Sequence, residues 1–275
     1  MTGKWLAILN PAAGGGKCGR QAEAAVQRLQ AAGLDVETQE TMAAGDGTTI
    51  ARAAYERGVR QFIAVGGDGT GYEVVNGLFP NASDDGEKVS LGFMPLGTGN
   101  SFLRDFTDDG AEYAIQSLLD GKSRSCDVIR LTHRDGVLHY INILSMGFTA
   151  EVGALTNNRF KAFGQGGYIM GVVTSVARLN HFNFPMVIDG EAVADEPCTF
   201  ISINNSRYTG GKMLMAPQAD IGDGKADLIT VGQLSRVGLL RTFPKIFKGE
   251  HVNHPSVNQR QVKKIDFDLD HEVDV

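Results

Sequence analysis

Phe62-Ile63-Ala64-Val65-Gly66-Gly67-Asp68-Gly69-Thr70 joins a short apolar run to a glycine-rich turn that carries a carboxylate. Four consecutive apolar residues bounded by turn residues read as a strand buried on both faces, the kind that parallel sheets use. Three glycines let the backbone turn tightly and approach an anion closely, so the stretch reads as a strand ending at a nucleotide-phosphate site.

Outward from it, residues 4–130 alternate strand-like runs with helical patterns. Residues 4–9 read as a first strand. Ala22, Ala25, Val26 and Leu29 recur at helical spacing, with Gly33 placed after the helix. A second strand falls at 36–39. Asp46 is expected to cap a helix carrying Ile50, Ala53 and Ala54 that ends at Gly58, ahead of the strand at 61–65. A helix at 72–78, a polar acidic loop at 81–87, a strand at 89–94 and a helix at 111–119 closed by Gly121 complete the series. The expected fold class is α/β, with a three-layer Rossmann-like parallel-sheet domain over residues 1–127.

Beyond residue 127 strand-like runs follow one another. Those at 127–131 and 138–144 flank Arg134-Asp135-Gly136 as a hairpin, and further runs occur at 185–189, 199–203 and 226–231. With helices at 168–179 and 237–247, residues 128–275 read as a second domain, an antiparallel β-sandwich.

The chain is 42% hydrophobic and 21% charged, an ordinary globular balance. Cys18, Cys126 and Cys198 are far apart, lie in no CxxC and have no histidine spaced for zinc, so they read as free thiols of a reducing cytosol. No signal-peptide core develops before Asn10-Pro11, and no window approaches the roughly eighteen apolar residues of a membrane span. A net charge of −6 argues against nucleic acid as a partner. From Arg236 to Lys264, however, seven cations face one anion, a local +6 that leaves −12 elsewhere. This segment, with Leu239, Leu240, Phe243, Ile246 and Phe247, reads either as a surface for an anionic bilayer or as a helix with a solvated basic face.

Two further glycine-rich turns leave strand ends of the first domain. Asn10-Pro11-Ala12-Ala13-Gly14-Gly15-Gly16-Lys17 imitates a Walker A loop, but Pro11 stands where its first glycine belongs and Cys18 where its magnesium-binding hydroxyl belongs. It is expected to offer phosphate the free N–H groups of a helix N-terminus. Pro95-Leu96-Gly97-Thr98-Gly99-Asn100-Ser101-Phe102-Leu103-Arg104 is expected to bring the Thr98 hydroxyl and the Asn100 amide to ribose or phosphate. Three such turns at the carboxyl ends of strands in one sheet occupy the place where open α/β folds bind ligands.

Together these residues resemble the diacylglycerol kinase and sphingosine kinase family of lipid kinases, particularly its soluble bacterial members, over essentially the whole chain. The resemblance is carried by Asn10-Pro11 with its glycines, Thr41 followed by Gly45-Asp46, Gly66 to Thr70 followed by Glu73-Val74-Val75-Asn76-Gly77, and Pro95 to Arg104. Gly-Gly-Asp-Gly-Thr is shared with NAD kinases and phosphofructokinases; the Pro-Leu-Gly-Thr-Gly-Asn continuation is the lipid-kinase feature. The resemblance implies ATP lying across Asn10, Thr41, Gly66, Gly67, Asp68, Gly69, Thr70, Gly71, Tyr72, Gly97 and Thr98. It implies that Asp68 acts through Mg²⁺ on the phosphates, or as the base for the lipid hydroxyl. Gly71-Tyr72 and Ser101 depart from the family pattern.

Asn204 to Gly211 and Ala216 to Asp227 also resemble the family. Asp220 and Asp223 stand three apart around a glycine turn, where two carboxylates can face one hard cation; the same residues read as a hairpin turn. The resemblance implies a structural magnesium site there, completed by the main-chain carbonyl of Lys225. It also implies that Glu151 lies near the lipid head group, although a solvated glutamate is the plainer reading. Phe160, Phe163, Tyr168, Ile169 and Val173 suit an acyl-chain pocket or a core equally.

Bacterial members carry an Asp-Gly-Glu base after a late strand, and the sequence stops at Asp270-His271-Glu272-Val273-Asp274-Val275, before that position. The expectation is a further carboxy-terminal segment that returns to the first domain. Asp189-Gly190-Glu191 lies too early and reads as a hairpin turn. The expected function is an ATP- and Mg²⁺-dependent kinase of diacylglycerol or a related lipid, cytoplasmic and peripheral at the inner face of the membrane. NAD kinase and a noncatalytic nucleotide- or lipid-binding regulator are the alternatives, and a homodimer is left open.

Overall fold

In a computed structural model, residues 3–149, 152, 174–176, 179–269 and 273 are described. The chain divides into two compact units, Met1–Ile141 and Asn142–Val275.

The first unit is built on β1 (Trp5–Leu9), α1 (Lys17–Ala31), β2 (Val36–Glu40), α2 (Asp46–Glu56), β3 (Gln61–Gly66), α3 (Asp68–Leu78), α4 (Asn81–Asp84), β4 (Ser90–Pro95) and α5 (Ala111–Leu119). The four strands form one parallel sheet in the order β2-β1-β3-β4. Side chains alternate across a strand, and the two faces are covered separately. Trp5, Ala7, Leu9, Ile63 and Val65 pack with Ala22, Val26, Leu29 and Ile115 of α1 and α5. Leu6, Ile8, Phe62 and Ala64 pack with Ala51, Ala54, Val74 and Leu78 of α2 and α3. These are the three layers expected. Burying each large aliphatic side chain contributes about 2 kcal/mol, and Ile8, Ile63 and Phe62 are fully enclosed.

The strand order also positions the site. The chain leaves β1 for one edge of the sheet, returns, and leaves β3 for the other edge. Helices α1 and α3 therefore lie on opposite faces, and the loops after β1 and β3 meet at a switch point.

Some boundaries differ from expectation. Helix α3 begins at Asp68, so only Gly66-Gly67 form the turn and Asp68-Gly69-Thr70 are already helical. Asp46 is the first residue of α2 and does not cap it: its Oδ2 accepts the N–H groups of Met42 (2.7 Å) and Ala43 (2.8 Å), closing the loop after Thr41. The polar loop at 81–87 contains the short helix α4. The hairpin β5 (Ile129–His133) and β6 (Gly136–Tyr140) belongs with the first unit, so the division falls after Ile141 and not after residue 127. Asn76 of α3 holds it: Nδ2 donates to the His139 carbonyl and Oδ1 accepts the His139 N–H, each at 2.8 Å. The run at 138–144 is thereby cut in two.

In the second unit β7 (Ile143–Gly147) is followed by β8 (Met186–Ile188), β9 (Glu191–Ala192), β10 (Cys198–Asn204), β11 (Tyr208–Thr209), β12 (Met213–Leu214), β13 (Ala226–Gly232), α6 (Arg236–Thr242), β14 (Val257–Val262) and β15 (Ile265–Phe267). An antiparallel sheet β14-β13-β10-β7 carries the core, beside the sheet β15-β8-β9 and the pair β11-β12. Asp189 and Gly190 both adopt left-handed backbone (φ 51° and 89°) between β8 and β9, the hairpin geometry expected of that turn. The helix expected at 237–247 stops at Thr242 and continues as a 3₁₀ segment, Phe243–Lys248, with Pro244 in its first turn. Proline lacks the N–H and crowds the carbonyl four residues back, so the α-helix cannot continue through it. No helix among the described residues is long and apolar enough to cross a membrane.

Candidate active site

Four loops converge at the carboxyl edge of the parallel sheet. Asn10 N–H donates to the Val65 carbonyl (3.0 Å) and Thr41 N–H to the Leu9 carbonyl (2.8 Å), which ties the ends of β1, β2 and β3 together. Gly97 N–H donates to the Gly66 carbonyl at 2.7 Å, bringing in the loop after β4. The contact between the last two loops is backbone on backbone: a Cβ at Gly97 would lie 2.6 Å from Gly67 N. A Cβ at Gly14 would likewise lie 2.7 Å from the Leu96 carbonyl oxygen. The glycines at 14 and 97 are therefore needed for loop to meet loop.

The loop after β1 differs from expectation in where its donors sit. Gly14, Gly15 and Gly16 all have left-handed backbone (φ 62°, 66° and 82°), which folds the loop back over the start of α1. The first N–H groups of α1 are then taken by loop carbonyls, Lys17 on Gly14, Cys18 on Ala13 and Gly19 on Pro11. Among the described residues the N–H groups of Gly14 and Gly15 have no acceptor, and these are the backbone donors that the loop leaves open. Cys18 is fully buried and points its Sγ at the Val65 carbonyl (3.5 Å).

At the turn after β3, α3 has no side-chain cap. The N–H groups of Thr70 and Gly71 both reach the Gly67 carbonyl, and Gly69 N–H has no acceptor among the described residues. An uncapped helix N-terminus with free N–H groups attracts anions. Asp68 stands at this end with both oxygens engaged: Oδ2 accepts the Ser101 N–H (2.8 Å) and Oδ1 the Phe102 N–H (3.2 Å). It thus caps the 3₁₀ turn Phe102–Asp105 and fixes the loop after β4. The Thr70 hydroxyl is buried with no partner among the described residues. Asn100, expected at the ligand, spends its amide on its own loop, donating to the carbonyls of Pro95 (3.3 Å) and Gly97 (2.9 Å) from left-handed backbone. Thr98 remains exposed, Thr41 is buried, and Tyr72 and Met42 are exposed beside the loops at 44% and 89%.

One organising residue had been read only as part of a family motif. Glu73 on α3 accepts the N–H groups of Gly45 (3.0 Å) and Gly47 (2.9 Å), and its carbonyl accepts the Thr48 hydroxyl. Helix α3 thereby holds the loop that follows Thr41. A carboxylate one turn beyond the glycine turn was the available signal, but spacing alone does not name its partners.

In the second unit, Asp220 Oδ1 accepts the Gly222 N–H (3.1 Å), and Asp223 accepts the N–H of Lys225 (3.0 Å) and the Nε2 of Gln261 (2.9 Å). Gly224, at φ 74°, completes the turn, but the strands it joins are not paired with each other, β12 lying on β11 and β13 between β10 and β14, so it is a connection between sheets and not the hairpin expected. No group of three or more His, Cys, Asp or Glu side chains among the described residues is placed to hold a metal. Buried Asp227 follows on β13; its carboxyl is pushed above the usual range, chiefly by desolvation and further by the charge of Asp223. Because the folded state binds that proton more tightly, this group's own contribution to stability is fully present below the ordinary aspartate value and is lost as pH rises through the folded value. Asp227→Asn, whose Oδ1 can still accept from Gln259, is expected to raise the denaturant midpoint above that window and to match the parent in acid. Unfolding curves across pH in the presence of chelator check this; a lower midpoint at neutral pH would refute it.

An apolar cavity of about 40 Å³ lies within the second unit, lined by Phe148, Phe200, Met215, Leu239, Phe243 and Ile246 among others. His251 borders it, with Nε2–H donating to the Met215 carbonyl and Nδ1 buried without a partner among the described residues. Burial lowers the pKa of this histidine, which keeps the ring neutral. Glu151, Phe160, Phe163, Tyr168, Ile169 and Val173 lie outside the described residues.

Comparison with known proteins agrees with this architecture. Residues 4–131 match the diacylglycerol kinase catalytic domain, and residues 142–275 match the YegS C-terminal NAD kinase beta sandwich-like domain. A diacylglycerol kinase of Mycobacterium tuberculosis is 32% identical over 96% of this chain and 84% of its own length. One from Bacillus subtilis is 27% identical over 94% and 83%. A crystal structure of a diacylglycerol kinase from Bacillus anthracis superposes with a TM-score of 0.70 over 98% of this chain and 88% of that one; at 22% identity it shows the shared fold. The chain belongs to the diacylglycerol kinase family of lipid kinases, phosphotransferases with an alcohol group as acceptor.

Proposed function

We propose that this lipid kinase transfers the terminal phosphoryl group of ATP to a hydroxyl of diacylglycerol or a closely related lipid at the inner face of the membrane. The observation that carries the reading is the meeting of the Gly14, Gly67 and Gly97 loops around Asp68 at the switch point of the sheet. Phosphoryl transfer asks for little covalent chemistry and for much positioning of charge. The N–H groups of Gly14, Gly15 and Gly69 cradle the phosphates, with Asn10, Thr70 and Thr98 supplying side-chain contacts. Thr41 and Tyr72 lie on the nucleoside side, where exposed Met42 adds apolar surface. Asp68 holds the loop after β4 in register and presents its carboxylate to the phosphate end.

Magnesium, when bound, neutralises phosphate charge. A hard cation suits the turn at Asp220 and Asp223, which with the Lys225 carbonyl offers only oxygen donors, and the charge of Asp223 is felt by Asp227 close by. Glu151 is assigned to the lipid head group. The apolar cavity, with few polar groups in its lining, suits the end of an acyl chain; at about 40 Å³ it is too small for a whole one.

The test is transfer of labelled phosphate from ATP to a panel of lipids, using the full natural chain. Diacylglycerol is expected to be labelled, with loss of labelling in chelator. ATP binding without labelling of any lipid would refute catalysis and favour a regulator, and NADP formation would favour an NAD kinase.

A further inference from the structure

Helix α6 and the 3₁₀ segment after it form an element with two different faces. Leu239, Thr242, Phe243 and Ile246 turn inward and line the apolar cavity. Outward, Val237, Leu240 and Phe247 are 56%, 44% and 41% exposed, three of the seven exposed large hydrophobic residues among those described. Arg236, Arg241, Lys245 and Lys248 are exposed on the same element. No acidic residue occurs between Asp227 and Glu250. This sharpens the sequence reading: Leu239 and Ile246, taken for surface there, are core, and Val237 joins the exposed set.

A patch of this composition is unusual on a chain of net charge −6, since the mean field of the molecule repels anions. Exposed apolar side chains interleaved with cations suit a surface that is anionic at its head groups and apolar just beneath them. We propose that the outer face of α6 and the 3₁₀ segment docks the protein on an anionic bilayer, with Val237, Leu240 and Phe247 entering the head-group boundary and the four cations resting on lipid phosphates. Each cation near such a surface strengthens binding about fivefold, so charge alone lifts a contact that the apolar residues make only weakly. The inward residues of the same element wall the cavity assigned above to the end of an acyl chain, so docking sets that wall near the lipid source. In this respect the proposal rests on the lipid-kinase reading; the docking itself does not.

The experiment is sedimentation of the full protein with phosphatidylcholine vesicles, with and without phosphatidylglycerol, in the absence of ATP. Binding is expected to be at least tenfold tighter to the anionic vesicles and to weaken with salt. Val237→Glu/Leu240→Glu should reduce anionic-vesicle binding at least tenfold, and Arg241→Gln/Lys245→Gln should remove most of the preference for anionic lipid. Unchanged thermal melting secures the fold of each variant, and the milder Phe247→Ser provides a third reading. Equal binding to both vesicle types, or variants that bind as the parent does, would overturn the proposal. So would concentration-dependent self-association that Val237→Glu/Leu240→Glu abolishes, since the face would then be a contact between copies. A water-soluble short-chain diacylglycerol, phosphorylated equally by parent and variants, separates the two readings. Failure of the parent on that acceptor would count against the kinase reading and leave the vesicle result standing.

Discussion

Asp68→Ala is expected to lower phosphoryl transfer by about a thousandfold, the scale on which removing one preorganised charge-stabilising group acts. The side chain has two tasks, and the substitution removes both. Its oxygens hold the N–H groups of Ser101 and Phe102, so the variant should also lose about 2 kcal/mol of stability, the typical contribution of hydrogen bonds to a partly buried charged group. Asp68→Asn separates the tasks. Its carbonyl oxygen can still accept the Ser101 N–H while its amide faces that of Phe102, so much of the loop should remain in place with the charge gone. If Asp68→Asn recovers the melting temperature and not the turnover, the carboxylate acts on the phosphates. Wild-type turnover in Asp68→Ala would remove Asp68 from the mechanism.

Gly97→Ala should lose about 3 kcal/mol of stability and most ATP binding, because the added carbon would sit 2.6 Å from a main-chain nitrogen that no rotamer change can move. The loops after β3 and β4 would have to part, which would break the bond from Gly97 N–H to the Gly66 carbonyl as well. Gly69→Ala is the contrast. A Cβ there meets nothing within 4 Å, and the position is helical, where alanine is favoured over glycine by about 1 kcal/mol. That variant should melt no lower than the parent yet bind ATP less tightly, since its methyl group stands where a phosphate would approach. Equal melting of the Gly97 and Gly69 variants would show that the loops separate at little cost. Thermal denaturation and nucleotide titration of both proteins decide the matter.

The parallel sheet was legible because apolar runs of β length alternate with amphipathic helices, and the same periodicity placed the three glycine turns at strand ends. Which donors those turns leave free was not legible. Whether the N–H of Lys17 or that of Gly14 faces a ligand depends on how the loop folds over α1, and three consecutive left-handed glycines decide that only in three dimensions. The roles of Asp46, Asn76 and Asn100 were hidden for the same reason, because a short polar side chain satisfies whichever backbone group the tertiary structure brings near it. The early end of α6, by contrast, is legible in Pro244, although the apolar spacing around it is helical. The antiparallel half was legible as strands but not as sheets, since pairing between distant segments leaves no local pattern.

Helix α3 holds Asp68 at its start, Glu73 on the loop after β2 and Asn76 on the hairpin of the first unit. Three segments far apart in sequence are thus pinned to one rigid rod before any nucleotide arrives. A site built in this way has little configurational entropy left to lose, so on the kinase reading proposed above the free energy of binding a nucleotide would go into grip and alignment and not into assembling the cradle.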